Sequence, residues 1–364
     1  MRLGSIWGVG KNRLATLFAA GVGFVLVRCQ PMAALSLGLL LGLSFTFLAG
    51  EHPLDVLSIL WDGVFASWYD FGMVVFYATP LLFCGLSVGV AYRCGLFNIG
   101  ADGQLSMGAL GAAAVGVLCP PLPYGLSVVL AALAAFLAGA FYGFVAGYLK
   151  ARRECHEVIT TIMLNYIAAG LCSWVVLYHL KNPHSQSPET ALIHESFQLK
   201  PFLLFEDAPV TGALFLALFA SVFFWWLFRH SVFGFKCKMV GQNLIAASYS
   251  GIRSDRVQMM AMSLAGGLAG LVAVNEVLGS SYLYRVGFSP GYGFTGIAVA
   301  LMARSRPLAM IFTALLFGAL HKGTMDLDFA TETITSELSR VFQALVILCV
   351  ASEGLYTHFR KGKG

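Results

Sequence analysis

GLFNIGADGQLSMGAL, residues 95–110, sets Asn98, Asp102 and Gln104 among glycines in a chain that otherwise avoids polar groups. Around this stretch 58% of the 364 residues are hydrophobic, only 11% are charged, and the mean hydropathy is +0.77. Such usage lies far outside that of soluble domains, so the chain reads as an all-α integral membrane protein. The decisive question is why polar groups stand at this one place.

Apolar runs bounded by charged or Pro/Gly-rich breaks fall near 32–50, 71–92, 105–118, 124–149, 158–180, 210–228, 257–278, 293–303, 308–320 and 341–357. They give about ten candidate spans. Loop charges set the orientation if Lys and Arg mark the cytoplasmic side. Residues 51–70 carry Glu51, Asp55, Asp62 and Asp70 without Lys or Arg and belong outside, whereas Lys150, Arg152 and Arg153 place 150–154 inside. The same test puts 181–209 outside, the basic loop 229–256 inside, Arg304 and Arg306 inside and the acidic 321–340 outside. Arg360, Lys361 and Lys363 put the tail inside, and Arg2, Lys11 and Arg13 do the same for the N-terminus, so both termini are expected in the cytoplasm.

Residues 1–31 form a basic and apolar segment ahead of a transmembrane domain over 32–364. The piece 14–28 is short for a span; we place it against the inner face or as an extension of the first span, and a crossing there would put the N-terminus outside. No small-residue cleavage site follows an early apolar stretch, so no removable signal peptide is expected.

The runs 105–118 and 293–303 are too short to cross a hydrocarbon core of about 30 Å as simple helices. They predict broken or re-entrant helices, and transporters place substrate sites at such breaks because irregular backbone at depth survives only where protein or water surrounds it. Asn98, Asp102 and Gln104 then face a pathway; the alternative from spacing is a cytoplasmic turn. Asn165, within EVITTIMLNYIAAGL, reads first as an interhelical hydrogen-bonding group. Glu276, near the outer end of its span, reads first as an interfacial carboxylate paired with Arg285, with substrate contact as the second reading.

Enzyme-like signals fail on inspection. GFSPG, 287–291, fits a nucleophile-elbow pattern, but Pro290 lacks the N–H that such an elbow supplies after its serine. VGKN, 9–12, lacks the glycine and the Ser or Thr of a phosphate loop. The eight cysteines are scattered without metal-ligand spacing and read as small apolar fillers. In the loop 229–256, Gly241, Gln242 and Asn243 open a short helix through Ala246 and Ala247 that Gly251 stops. A two-turn helix needs a partner surface or the headgroup region to persist.

Four stretches, YRCGLFNIGADGQLSMGAL, EVITTIMLNYIAAGL, GFKCKMVGQNLIAASYSGI and SPGYGFTGIAVALMAR, together resemble permease subunits of ATP-binding-cassette importers of the ribose/branched-chain amino acid type, most closely the nucleoside-importer branch. The tail TSELSRVFQALVILCVASEGL is similar to that family's last span, and the resemblance runs from about residue 70 onward. It implies two permease chains, identical or related, a pair of cytoplasmic ATPases that hold the ATP and Mg, and an external substrate-binding protein or lipoprotein, all in a bacterial inner membrane. This chain would then carry no cofactor, do no chemistry and touch lipid but no nucleic acid. By position, Gly241, Gln242, Asn243, Ala246, Ala247 and Gly251 correspond to the helix that couples to the ATPase, with Leu244 and Ile245 where relatives often carry Pro and Glu.

The elements Gly95–Gln104 and Gly291–Gly296 would shape the pathway, with Asp102 where many relatives have Glu. Substrate contact is expected through Asn98, Gln104 and Asn165, with Phe97 or Phe294 stacking on a ring. A nucleoside is the first expectation, then a simple sugar or a riboflavin-like vitamin. A secondary transporter or channel would instead show inverted repeats and paired carboxylates, for which Asp102 and Glu276 are thin support.

Overall fold

The computed structural model describes residues 36–44, 46–47, 50–205, 207–331, 341 and 344–349. The readings for 1–31, for 14–28 and for the basic tail lie outside these residues, and the first and last spans are described only in part. Regular structure among the described residues is helical apart from two antiparallel bridges, Lys181 with Thr190 and Glu189 with Arg285.

In chain order the helices are α1 (Pro53–Phe65), α2 (Trp68–Arg93), α3 (Ala101–Leu118), α4 (Tyr124–Arg153), α5 (Glu157–Leu180), α6 (Ala213–His230), α7 (Val232–Gln242), α8 (Leu244–Tyr249), α9 (Ser254–Ser281), α10 (Tyr292–Met302) and α11 (Pro307–Ala330). Six of them, α2, α4, α5, α6, α9 and α11, are long and apolar enough to cross a membrane. Of the two runs expected to be short, 293–303 is so: α10 has only 11 residues, about 16 Å of helix, whereas α3 starts four residues before its apolar run and has 18 residues, as many as α6.

The centre of the fold is α2. Its most apolar stretch is 94% buried, against 17% in the peripheral α5, and it is apolar on all sides, as a helix enclosed by other helices must be. Ser67 caps it, accepting from the Asp70 amide at 3.1 Å and donating to the Asp70 carboxylate at 2.6 Å.

Small residues set the main crossing, α4 on α9. Gly139 and Gly143 face Gly266 and Gly270 so closely that a Cβ on Gly266 would lie 2.2 Å from the Gly139 carbonyl oxygen. In lipid, where apolar surface gains little from meeting apolar surface, such backbone proximity supplies dispersion contacts and CH···O contacts instead.

Two segments depart from the sequence reading. The outer stretch 51–70 was expected as a loop, yet Pro53 at the first helical turn and His52 at the cap start α1. The span expected at 308–320 runs on to Ala330, well into the region expected as an outer loop. Lys322 ends up 8% exposed in that extension because Asp70 on α2 and Asp326 one turn on both pair with it, so charges that look like a loop in sequence cancel within the bundle.

The chain after α5, expected outside, folds over the end of α3 and meets the segment after α9. Thr190 N–H donates to Tyr284 O, Ile193 N–H to Tyr282 O and His194 N–H to Gly116 O. Phe197, Ile193 and Tyr284 are buried beneath this cap. Arg285 is bonded to Glu189, through Nε at 3.1 Å and Nη2 at 3.0 Å. That corrects the expected pairing with Glu276: the bridge between the two outer segments brings Glu189, almost a hundred residues earlier, into reach.

Replacing Gly266 by Val is expected to lower stability by about 1–3 kcal/mol or prevent assembly, because the crossing has no room for a side chain; thermal unfolding in detergent would show it, and an unchanged midpoint would refute the account. Hydrogen bonds from Ser185 and Arg285 hold the Glu189 carboxyl below its ordinary range. Its stabilising effect is therefore complete above about pH 4.3 and disappears as pH falls through its lowered value. Proteolysis of the 181–205 cap should accelerate in that acid range in the native protein, while Glu189→Gln should be cut faster at neutral pH already.

Candidate functional site

The opening stretch forms a break between α2 and α3. Gly95, at φ +73°, turns the chain after Arg93, and Leu96–Ile99 then run without helical hydrogen bonds back along α2. Asn98, 0% exposed, and Gln104, 1% exposed, face each other amide to amide: Asn98 Nδ2 donates to Gln104 Oε1 at 2.8 Å, and Gln104 Nε2 donates to Asn98 Oδ1 at 3.0 Å. Asn98 also donates to Ser87 Oγ and accepts from the Gly100 N–H. Ser87 lies about 9 Å back from the end of α2, so the break enters the protein rather than lying in a surface turn.

Asn165 on α5 closes the network. Its Oδ1 accepts from the Gly103 N–H at 2.8 Å and its Nδ2 donates to Ile99 O at 3.0 Å. The interhelical hydrogen bond expected of this residue is thus directed at backbone that the break leaves unpaired. Asn98, Gln104 and Asn165 occupy their polar atoms on one another and on the main chain.

Asp102, in the first turn of α3, reaches the start of α10. Its Oδ1 accepts from the Gly293 N–H at 3.1 Å and from Ser289 Oγ at 3.2 Å, while Ser289 Oγ accepts from the amides of Gly291 and Tyr292. One carboxylate thereby sits at the N-terminal ends of two helices, where the helix dipoles favour negative charge. Ser289, the serine of the GFSPG stretch, lies two residues before Gly291, the N-cap of α10, and accepts from that helix's first amide.

Glu276 stands at the end of the regular part of α9, just before a π-helical turn, 3.4 Å from the Asn275 amide and beside Tyr292. Tyr292 belongs to an aromatic group with Tyr77 and His321, with centroids 4.7 Å apart for Tyr77 and His321 and 6.2 Å for Tyr292 and His321. A narrow crevice opens there, lined by Pro290, Tyr292, Thr295 and His321. Sequence reasoning missed Tyr77, Tyr292 and His321; the only available signal was the placement of a Tyr and a His inside otherwise apolar runs. Phe294 is 53% exposed on α10 and Phe97 is half-buried in the break, so the two rings do not share a pocket with this group.

At the Arg93 end of α2, α7 ends against the break. A Cβ on Gly241 would lie 2.4 Å from Arg93 O, so α7 touches the end of α2 backbone to backbone. Gly241 and Gln242 are the last residues of α7, and Asn243 alone starts α8, its Oδ1 accepting from the amides of Ile245 and Ala246. Gly251, at φ +75°, ends it as expected. Ala247 is buried, whereas Leu244, Ile245 and Tyr249 are 48%, 69% and 89% exposed. The six-residue α8 thus carries an exposed apolar face beside the buried Ala247.

A family profile described as branched-chain amino acid transport system / permease component matches residues 71–351. The chain belongs to this permease family. Among its relatives, the permease is 35% identical to the guanosine ABC transporter permease protein of Bacillus subtilis over 88% of this chain and 92% of that one. It is 31% identical to the nucleoside ABC transporter permease protein NupB of Lactococcus lactis, over 88% of this chain and 90% of that one. To a glucose ABC transporter permease protein of Haloferax volcanii it is 30% identical, over 91% of this chain and 88% of that one. The matched range contains the break, the Asp102 junction and α8, so these elements of the permease lie within the part shared with its family.

Removing one amide of the reciprocal pair, by Asn98→Leu or Gln104→Leu, strands the other and is expected to cost about 1–3 kcal/mol. The double variant should cost less than the sum of the two, a coupling of about 0.5–3 kcal/mol in a double-mutant cycle of unfolding; strict additivity would contradict the pairing.

Proposed function

We propose that this permease forms, with a second copy or a related chain, the membrane pathway of an ATP-driven nucleoside importer in a bacterial cytoplasmic membrane. ATP and Mg are held by two cytoplasmic ATPases, and an external binding protein or lipoprotein delivers the substrate to the outer cap. About ten crossings and two cytoplasmic termini fit this arrangement. The observation that carries the reading is α8: a capped helix with an exposed apolar face, joined through α7 to the break between α2 and α3. Motion imposed on Leu244, Ile245 and Tyr249 by the ATPase is delivered by Gly241 to Gly95, and from there to the Asp102 junction.

In this reading Gly241, Gln242, Asn243, Ala246, Ala247 and Gly251 build the coupling element, and Asn98, Gln104 and Asn165 are positioning residues that hold the break. Asp102 holds the starts of α3 and α10 together. Substrate contact falls to the exposed ring of Phe294, to Phe97 and to the polar-aromatic group around Glu276, which suits a neutral ring-bearing solute. Support for a nucleoside comes from the two relatives whose names state guanosine and nucleoside transport.

Gentle solubilisation and capture through a C-terminal tag should retain an ATPase polypeptide in near-equal amount, and Ile245→Glu should release it without lowering the quantity of permease in the membrane. Cells carrying the wild-type system should take up labelled guanosine, with excess unlabelled nucleoside competing and excess glucose not. Capture without an ATPase, where a control complex survives the same treatment, would overturn the importer assembly; competition by glucose alone would overturn the substrate.

A further inference from the structure

Apart from α8, an open cavity of about 730 Å³ is bordered by the end of α2, by α6 and α7 and by the start of α11. Arg93, Arg229, Lys238 and Arg306 line it, with Trp225 and Phe228 between them, and none of its described lining residues is acidic. Among the described residues, the ion pairs of the protein engage none of these four cations. Two of them are held in place: Arg93 donates to Ser305 O at 3.1 Å and lies 4.7 Å from the Phe228 ring, while Arg229 lies 5.8 Å from the Trp225 ring.

Four like charges around one cavity repel one another, and an anion placed among them relieves that repulsion. The amide ends of α7 and α11 border the same space, adding partial positive charge to it. What distinguishes the occupant is the approach. Phe215, Phe219, Val222 and Trp226 make an exposed apolar stripe along α6 that leads to the cavity mouth, where Trp225 and Arg229 stand at the basic end of this helix, the pairing of residue types found where a span meets the headgroups. A small anion arriving from the cytoplasm has no use for such a stripe, whereas a phospholipid needs both parts.

We propose that this cavity binds the phosphate headgroup of an anionic phospholipid of the inner leaflet, with the acyl chains lying along the aromatic face of α6. The guanidinium groups of Arg229 and Arg306 are suited to paired hydrogen bonds with phosphate oxygens, and basic pockets between membrane helices on the cytoplasmic side are places where such headgroups lodge.

The test uses the full-length permease in nanodiscs containing brominated phosphatidylglycerol or brominated phosphatidylcholine. The Trp225 emission is taken as the difference between wild type and Trp225→Phe. Quenching of that component is expected to be roughly twofold stronger with the anionic lipid, and the preference should vanish in Arg229→Gln/Arg306→Gln. Should the double variant fail to fold, Lys238→Gln alone is expected to weaken the preference. Equal quenching by the two lipids in the wild type, or a preference that persists in the charge variants, would overturn the proposal. Inorganic phosphate at tens of millimolar separates the sources: a surviving preference supports lipid, and an erased one assigns the cavity to free phosphate. Loss of the preference on adding the co-captured ATPase would assign it to a protein partner and equally remove the lipid.

Discussion

The hydrogen bonds from Gly293 and Ser289 to the Asp102 carboxylate are the constraint on which the arrangement depends. A helix that starts in a protein interior exposes several N–H groups that need partners there. Two such helices, α3 and α10, start side by side: the Asp102 carboxylate of α3 accepts from the Gly293 N–H of α10, and the Asn165 amide oxygen accepts from the Gly103 N–H of α3. Without these bonds, a short α10 and an internal break before α3 would be costly; with them, the backbone can change direction in the middle of the protein. The neighbouring amide pair of Asn98 and Gln104 completes the same work for the segment leading into α3.

This explains why the polar groups of GLFNIGADGQ are buried rather than displayed. The segment is irregular, so its main chain needs partners, and side chains from α2, α5 and its own sequence provide them. The consequence is stiffness: the break is joined to α5 by Asn165, to α10 by Asp102 and to α7 by the contact of Gly95 with Gly241. A displacement at α7 therefore has few soft places in which to dissipate before it reaches the centre.

Much of this was readable in the sequence because it is local. Charge alternation and apolar run length locate the long helices, Asn243 and Gly251 announce the two ends of α8, and the shortness of the 293–303 run announces α10. What escaped reading depends on residues far apart in the chain. Lys322 looks like the start of a loop until Asp70 is brought beside it; Arg285 looks like a partner for Glu276 until the outer cap supplies Glu189. Spacing likewise marks Asn98 and Gln104 as polar but cannot show that an extended turn folds them onto each other. The grouping of Tyr77, Tyr292 and His321, from three helices, left no mark in any one run.

The crossing of α4 and α9 has a genetic consequence. Each of Gly139, Gly143, Gly266 and Gly270 meets opposing backbone where a Cβ would stand. Every single-nucleotide missense change of a glycine codon adds at least that carbon, so these codons have no tolerated neighbours other than synonymous ones. Random mutation can thus explore the lipid-facing sides of the two helices while their shared seam stays fixed, and diversification within such a lineage would be channelled into loops and outer faces.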